Sequence, residues 1–247
     1  FSASFMNITP LNTTDYDHIV FFTGAGMSAE SGVPTYRGSG GIWHEYRWED
    51  YARQEAWKRN PDKVFDFHDE RRKEALKCNP HAGHEVIARL EQDHPDVSIV
   101  TQNIDGMHQR SGSRKVTELH GSIWRIRCEE EGVIREDMNR GPYAARKCDC
   151  GAWLRPDIIW FSDYLNPDTL SQADEIVSRA DLFISIGTSG VVWPAAGYPQ
   201  LAKSGGAKLI EINPEPTERS HLYDQIYPDK AGKVLQKLFD LLHLNIT

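Results

Sequence analysis

Four short runs rich in Ile, Val and Phe recur along the chain: HIVFFTG at 18–24, VSIVTQNID at 97–105, DLFISIGTS at 181–189 and KLIEINP at 208–214. Each is apolar at successive positions and ends in small or polar residues, as a strand buried on both faces does. Between them lie stretches with helical spacing of apolar residues, at 80–94, 166–180, 195–205 and 230–245. Strands alternating with helices predict an α/β fold: a parallel sheet covered by helices, with ligands at the carboxyl ends of the strands.

Two segments break the alternation. Residues 38–79 are charged, rich in Trp and predicted to be helical, whereas 124–155 hold three of the four cysteines and show little periodicity. Both read as insertions that build a smaller lobe, leaving about 15–37, 80–123 and 156–247 for the larger one. No internal repeat or low-complexity tract is evident.

The length of 247 residues suits one large domain carrying such a lobe. With 36 acidic against 28 basic residues the net charge is -8. That excludes a basic nucleic-acid surface and favours basic partners. No apolar run approaches the roughly 18 residues that span a bilayer, so no membrane segment is expected. The opening FSASFMNITPLNTT lacks the pattern of a secretory leader. Cys78, Cys128, Cys148 and Cys150 are too few and too unevenly placed for a disulfide framework, which points to the cytoplasm.

Candidate chemistry collects at the strand ends. The first strand runs into GAGMSAESG, whose glycines permit a tight turn and close approach to a phosphate, though a plain strand-to-helix turn reads the same way. A hydride-transferring enzyme would place an acidic residue at a strand end about 20 residues later, to hold a ribose. Here the chain reads GIWHEYRWED, which is no strand end. The second strand ends in TQNIDGMH, crowding Gln102, Asn103 and Asp105 into four positions, either as a polar site or as caps of the next helix. ELHG then supplies His120. A histidine is often only a satisfied core or surface residue, but beside those three groups it is a candidate general base.

The blocks GAGMSAESGVPTYR, TQNIDGMH, ELHG, IGTS and EINPEP, in this order from about Ile19 to Leu238, resemble the sirtuins, the NAD-dependent protein lysine deacylases. The resemblance is nearest to the bacterial class III type, which removes succinyl and malonyl groups. It implies a Rossmann-like parallel sheet with a smaller lobe, and NAD consumed as a co-substrate. On matching positions it implies that Gly24, Ala25, Gly26 and Ser28 wrap the diphosphate, and that Pro34, Tyr36 and Arg37 form a cofactor loop. Gln102, Asn103 and Asp105 would line the nicotinamide and its ribose, while Gly187, Thr188, Ser189, Asn213, Glu215 and Ala231 would hold the adenosine half. His120 would be the base, with Asn103 and Asp105 assisting. Expected products are free lysine, nicotinamide and O-acyl-ADP-ribose. An ADP-ribosyltransferase using the same pocket is the alternative.

The acylated lysine of a protein or peptide would lie between RPDIIWFSD and GVVWPAAGYP, with Ile158, Trp160, Phe161 and Val192 as tunnel wall. In the class III enzymes a Tyr and, three residues later, an Arg read an acidic acyl group. Here Arg71 matches but His68 stands at the tyrosine position. The two either grip a carboxylate together or belong to a solvated helix face. Sirtuins usually hold a structural zinc with two CxxC pairs. In this chain Glu131 stands at one thiol position after Cys128 and the other pair is the tighter Cys148-Asp149-Cys150; three cysteines and a carboxylate could bind zinc in principle, but no metal is assigned and a lobe held by Trp124 and Trp153 is expected instead. A monomer is expected.

Overall fold

The structure is a computed structural model and describes residues 8–36 and 41–241. Its larger sheet has six parallel strands: β1 (Ile19–Thr23), β2 (Val97–Thr101), β3 (Val116–Glu118), β7 (Leu182–Ile186), β8 (Lys208–Ile212) and β9 (Gln225–Tyr227), in the order β3-β2-β1-β7-β8-β9. All five residues of β1 and of β7 are buried. The period of two sends Ile19 and Phe21 to one face and Val20 and Phe22 to the other. The first face meets α5 (Ala82–Asp93) and α9 (Ala231–Leu238) through Val86, Ile87, Leu90, Val234 and Leu235. The second meets α7 (Pro167–Ser178) and α8 (Tyr198–Ser204) through Ala173, Val177, Tyr198 and Ala202.

The expected strands and helices are all present with trimmed ends. The segment 195–205 divides into a 3-10 turn at Ala195–Gly197 followed by α8. The last helix stops at Leu238. Helix starts follow capping chemistry: Asn166 accepts from the Asp168 and Thr169 amides ahead of Pro167, and Asn60 accepts from Lys63 ahead of Pro61.

Strand order reverses at β1, because β2 and β7 flank it on opposite sides. A crevice is therefore expected beyond the carboxyl ends of β1 and β7. The remaining helices are α1 (Ala25–Ala29), α2 (Ile42–Glu45), α3 (Gln54–Arg59), α4 (Pro61–Lys77) and α6 (Met107–Arg110). A second, antiparallel sheet, β5-β4-β6, is built from β4 (Gly121–Cys128), β5 (Ile134–Glu136) and β6 (Leu154–Ile158). It shares an aromatic core with α3 and α4, in which Trp57, Phe65, Trp124, Tyr143 and Trp160 are buried. Arg146 ties the two segments together through Asp62 at 2.7 Å and Asp66 at 2.5 Å. No helix among the described residues is long and apolar enough to cross a membrane.

Candidate active site

The turns after β1 and β7 lean on each other by backbone alone. The Gly24 amide donates to the Ile186 carbonyl at 3.0 Å and the Gly26 amide to the Gly187 carbonyl at 2.9 Å. A Cβ on Gly26 would sit 2.6 Å from the Gly187 Cα, and one on Gly187, at φ +59, would sit 2.4 Å from the Gly26 carbonyl carbon. Any side chain at either position forces the two turns apart, which accounts for both glycines before a ligand is considered.

Above these turns opens a cleft of about 620 Å³. It gathers most of the expected residues: Gly24, Ala25 and Gly26; Tyr36; Gln102, Asn103 and His120; Gly187, Thr188 and Ser189; Asn213 and Glu215. The expected tunnel residues Ile158, Trp160, Phe161 and Val192 line it too, with His68. A small adjoining cavity of about 30 Å³ shares Ala25, Tyr36, Asn103 and Ile104 with the cleft and adds Pro34, Arg71 and Asp105. Ser28 lies beneath the surface, its hydroxyl accepting from Asn103 Nδ2 at 3.3 Å. Ala231, expected near the adenosine half through its backbone, has its side chain in the core at the start of α9 and is not among the residues that line the two cavities. Arg37 lies outside the described residues.

The polar centre is ordered from below. His120 Nδ1 lies 3.0 Å from the Gln102 carbonyl oxygen, which can only accept, so Nδ1 carries the proton and Nε2 keeps its lone pair. Asn103 spends its amide nitrogen on the Gly24 carbonyl at 2.9 Å and on Ser28, which fixes Oδ1 as its acceptor. Asp105 accepts from the Met107 amide at 2.9 Å, while burial pushes its carboxyl above the usual carboxylate range. Trp124, expected only as packing, donates Nε1 to the Asp105 carbonyl at 2.8 Å and abuts Gly106, where φ is +72. It shapes the turn that carries Asn103 and Asp105. Only contacts across the fold show this.

Three neighbours on α4 have three roles. His68 is 4% exposed, so the solvated-face reading fails there. Its Nε2 accepts from Trp160 Nε1 at 3.3 Å, and burial, aided by the Arg155 and Arg71 charges, pushes its pKa down to about 3. It is neutral, and the nitrogen facing Trp160 is already used. Arg71 is half-buried, with its guanidinium 5.4 Å over Phe67 and 5.7 Å over Tyr46, and it has no ion pair among the described residues. His68 lines the cleft and Arg71 the small adjoining cavity, near enough for the Arg71 charge to act on His68. Arg72 is fully buried and bonds the carbonyls of Ile123, Asp137 and Asn139 as well as the Asp137 carboxylate. Sequence reasoning passed over Arg72, and also Arg155. The latter bonds Asp163 at 2.8 Å and the Ile158 carbonyl at 2.8 Å, and lies 3.6 Å from the centre of the Trp160 ring, holding the 158–163 turn.

In the second sheet, single ligand atoms of Cys128, Glu131, Cys148 and Cys150 all lie within 4.8 Å of one another. Cys128 and Cys150 Sγ atoms are 3.6 Å apart, and Cys148 Sγ is 3.4 Å from Glu131 Oε2. The edges of a tetrahedron around zinc are roughly 3.5–3.8 Å for bonds of about 2.0–2.3 Å, so this donor set fits the ion in type and, at these two edges, in spacing. The Glu131 amide, pointing at Cys128 Sγ at 3.4 Å, is the main influence holding that thiol below its usual pKa. Trp153 also packs on Trp57 at 5.8 Å, as expected.

A parallel sheet with a glycine crossing at its switch point, and a cleft of about 620 Å³ that sets a few polar groups among apolar walls, is the arrangement of a nucleotide-binding α/β protein. The chain belongs to the Sir2 family, whose pattern matches residues 24–194. It is 45% identical over 227 residues to an NAD-dependent protein deacylase of Aquifex aeolicus (strain VF5), covering 91% of this chain and 95% of the relative. A solved Sir2 homologue–NAD complex superposes with a TM-score of 0.86 at 36% identity, covering 96% of each chain. A complex of Sir2 with p53 peptide and NAD+ superposes at 0.80 with 28% identity, covering 94% of this chain and 96% of that one.

Proposed function

We propose that the chain is an NAD-dependent protein lysine deacylase, with His120 as base and Asn103 and Asp105 orienting the reacting ribose. The observation that carries this reading is the His120–Gln102 bond, which leaves Nε2 basic in a cleft shared with Asn103 and the glycine turns. NAD lies along Gly24–Gly26, Gly187–Ser189, Asn213 and Glu215, and the acyl-lysine enters past Ile158, Trp160, Phe161 and Val192. Nicotinamide leaves, the acyl oxygen takes its place on the ribose, and His120 removes a proton from a ribose hydroxyl so that this oxygen can attack the resulting imidate. Asn103 Oδ1 is placed to accept from the ribose or from water. Segments 38–79 and 124–155 act as a smaller lobe over the cleft. Four free thiols suit a reducing cytoplasm.

Acetyl-lysine is one substrate, and acidic acyl groups such as succinyl are the other, read by Arg71 alone. Its guanidinium has no ion pair among the described residues and can take a carboxylate in two parallel bonds. The test is kcat/KM on acetyl- and succinyl-lysine versions of one peptide, for the parent and Arg71→Met, with products identified by mass. Succinyl activity should fall at least tenfold with acetyl activity spared, the size of one lost charged contact. Equal indifference of both activities removes Arg71 from recognition. Transfer of ADP-ribose to protein, without O-acyl-ADP-ribose, overturns the deacylase reading.

A further inference from the structure

The strand β8 is apolar at Leu209, Ile210 and Ile212, yet carries Glu211 at 1% exposure, between Ser185 of β7 and Ile226 of β9. No ion pair reaches this carboxylate among the described residues. A strand interior at that point would accept Val or Leu, and an unpartnered buried carboxylate is costly. Its partners explain it. Oε1 accepts from the Thr217 hydroxyl at 3.0 Å and Oε2 from the Ser220 hydroxyl at 2.5 Å. Each hydroxyl in turn accepts a backbone amide: Arg219 donates to Thr217 Oγ1 at 3.2 Å, and Thr217 donates to Ser220 Oγ at 2.8 Å. The loop after β8 is thus folded around one buried carboxylate through two fully committed hydroxyls.

That loop forms one wall of the cleft. Asn213, Glu215, Pro216, Thr217 and Glu218 all line it, and Asn213 Nδ2 is tied to the Thr188 carbonyl at 2.8 Å. The geometry points to Glu211 as a positioning residue for the adenosine half of NAD: it touches no ligand and acts by holding the 213–218 loop in its binding shape. The inference rests on the reading of the cleft as an NAD site. Charge-assisted bonds from two hydroxyls make the hold stronger than neutral partners would.

Calorimetric titration with ADP-ribose and steady-state kinetics, varying NAD and an acetyl-lysine peptide separately, test it on parent, Glu211→Ala, Glu211→Gln and Ser220→Ala. In Glu211→Ala the ADP-ribose Kd and the KM for NAD should rise about tenfold, while kcat at saturation and the peptide KM stay within about twofold. Glu211→Gln keeps one acceptor oxygen and should recover about half of that loss on a logarithmic scale. Ser220→Ala removes one of the two ties and should cost about threefold. Unchanged ADP-ribose affinity in a folded Glu211→Ala overturns the inference, as does a fall in kcat or Tm with no change in affinity. Should Glu211→Ala fail to fold, Ser220→Ala decides by the same titration. A parent that binds ADP-ribose but does not deacylate fails the deacylase reading alone, and the titration still decides on Glu211. A parent that does not bind ADP-ribose overturns both.

Discussion

His120 and Gln102 are joined by a single hydrogen bond, from the imidazole Nδ1 to a backbone carbonyl at 3.0 Å. The acceptor is main chain at the end of β2, so no substitution of the Gln102 side chain removes it. The tautomer of the neutral His120 ring is therefore set by the fold, with the proton on Nδ1 and the lone pair on Nε2.

Replacing His120 by Ala should leave NAD binding within about threefold but lower kcat by about 10²–10⁴, the usual worth of a positioned base. Steady-state turnover together with ADP-ribose titration separates the two effects. Gln102→Ala keeps the carbonyl and should retain kcat within about tenfold. A Gln102→Ala loss as large as that of His120→Ala would show that the side chain, and not the carbonyl, does the work.

Arg71 and Arg72 are adjacent on α4 and chemically identical, yet only Arg72 is sealed in the interior, 3.0 Å from the Asp137 carboxylate and 4.1 Å over the Tyr143 ring. Arg72→Met leaves Asp137 buried and unpaired, along with three carbonyls. The expected cost is about 3–5 kcal/mol, a fall in Tm of roughly 6–20 °C. Arg71→Met breaks no hydrogen bond or ion pair to the described residues, only its place over the Phe67 and Tyr46 rings, and should move Tm by less than about 2 °C. Thermal unfolding of both variants checks the contrast. Similar losses would mean that Arg71 is part of the scaffold.

This pair also marks how far the sequence could be read. The strands were legible because short runs of successive apolar, mostly β-branched residues that end in small or polar ones suit a strand buried on both faces, and the strand-end blocks because the chemistry is confined to short stretches. Residues at i and i+1 on a helix point about 100° apart, and an irregular chain such as 124–155 gives no period from which to tell which arginine faces inward. β3 and β9 have three residues each, too few to show a pattern. The roles of Trp124 under Asp105 and of His68 as acceptor for Trp160 depend on contacts 19 and 92 residues apart. A histidine at a tyrosine position reads as a weaker donor until its partner is seen.

The Cys128, Glu131, Cys148 and Cys150 cluster should take up one zinc per chain when the protein is supplied with the ion, measured by elemental analysis after dialysis. A carboxylate in place of a thiolate keeps the tetrahedral set but softens the hold. Glu131→Cys should therefore slow zinc loss to a chelator at least tenfold, and Cys148→Ser should abolish retention. Bound zinc should also raise Tm, because the ligands are brought together only in the folded state. Retention by Cys148→Ser equal to that of the parent would mean the ion sits elsewhere.

Three buried histidines should make the fold sensitive to mild acid. Burial holds His68 and His108 down to about 3, and His84 well below its ordinary value, so all three are neutral in the native state. Among the described residues His84 Nε2 and His108 Nδ1 have no hydrogen-bond partner, which offers an added proton nothing to bind. In the unfolded chain each titrates near 6.5. The stabilisation is thus complete above pH 6.5 and is lost as pH falls towards 3, because only the unfolded state gains protons. At pH 5.5 each histidine should cost about 1.4 kcal/mol relative to neutral pH, or about 4 kcal/mol for the three. The carboxyl of Asp105, raised by burial, works in the opposite sense: its penalty is relieved as pH falls through that raised value towards the range where unfolded carboxylates titrate. Urea unfolding at pH 7.5 and 5.5 should show the loss, and His108→Gln, which can keep a donor to Thr23 Oγ1, should remove about a third of it. A parent and a His108→Gln variant with the same pH dependence would show that His108 is protonated in the native state after all.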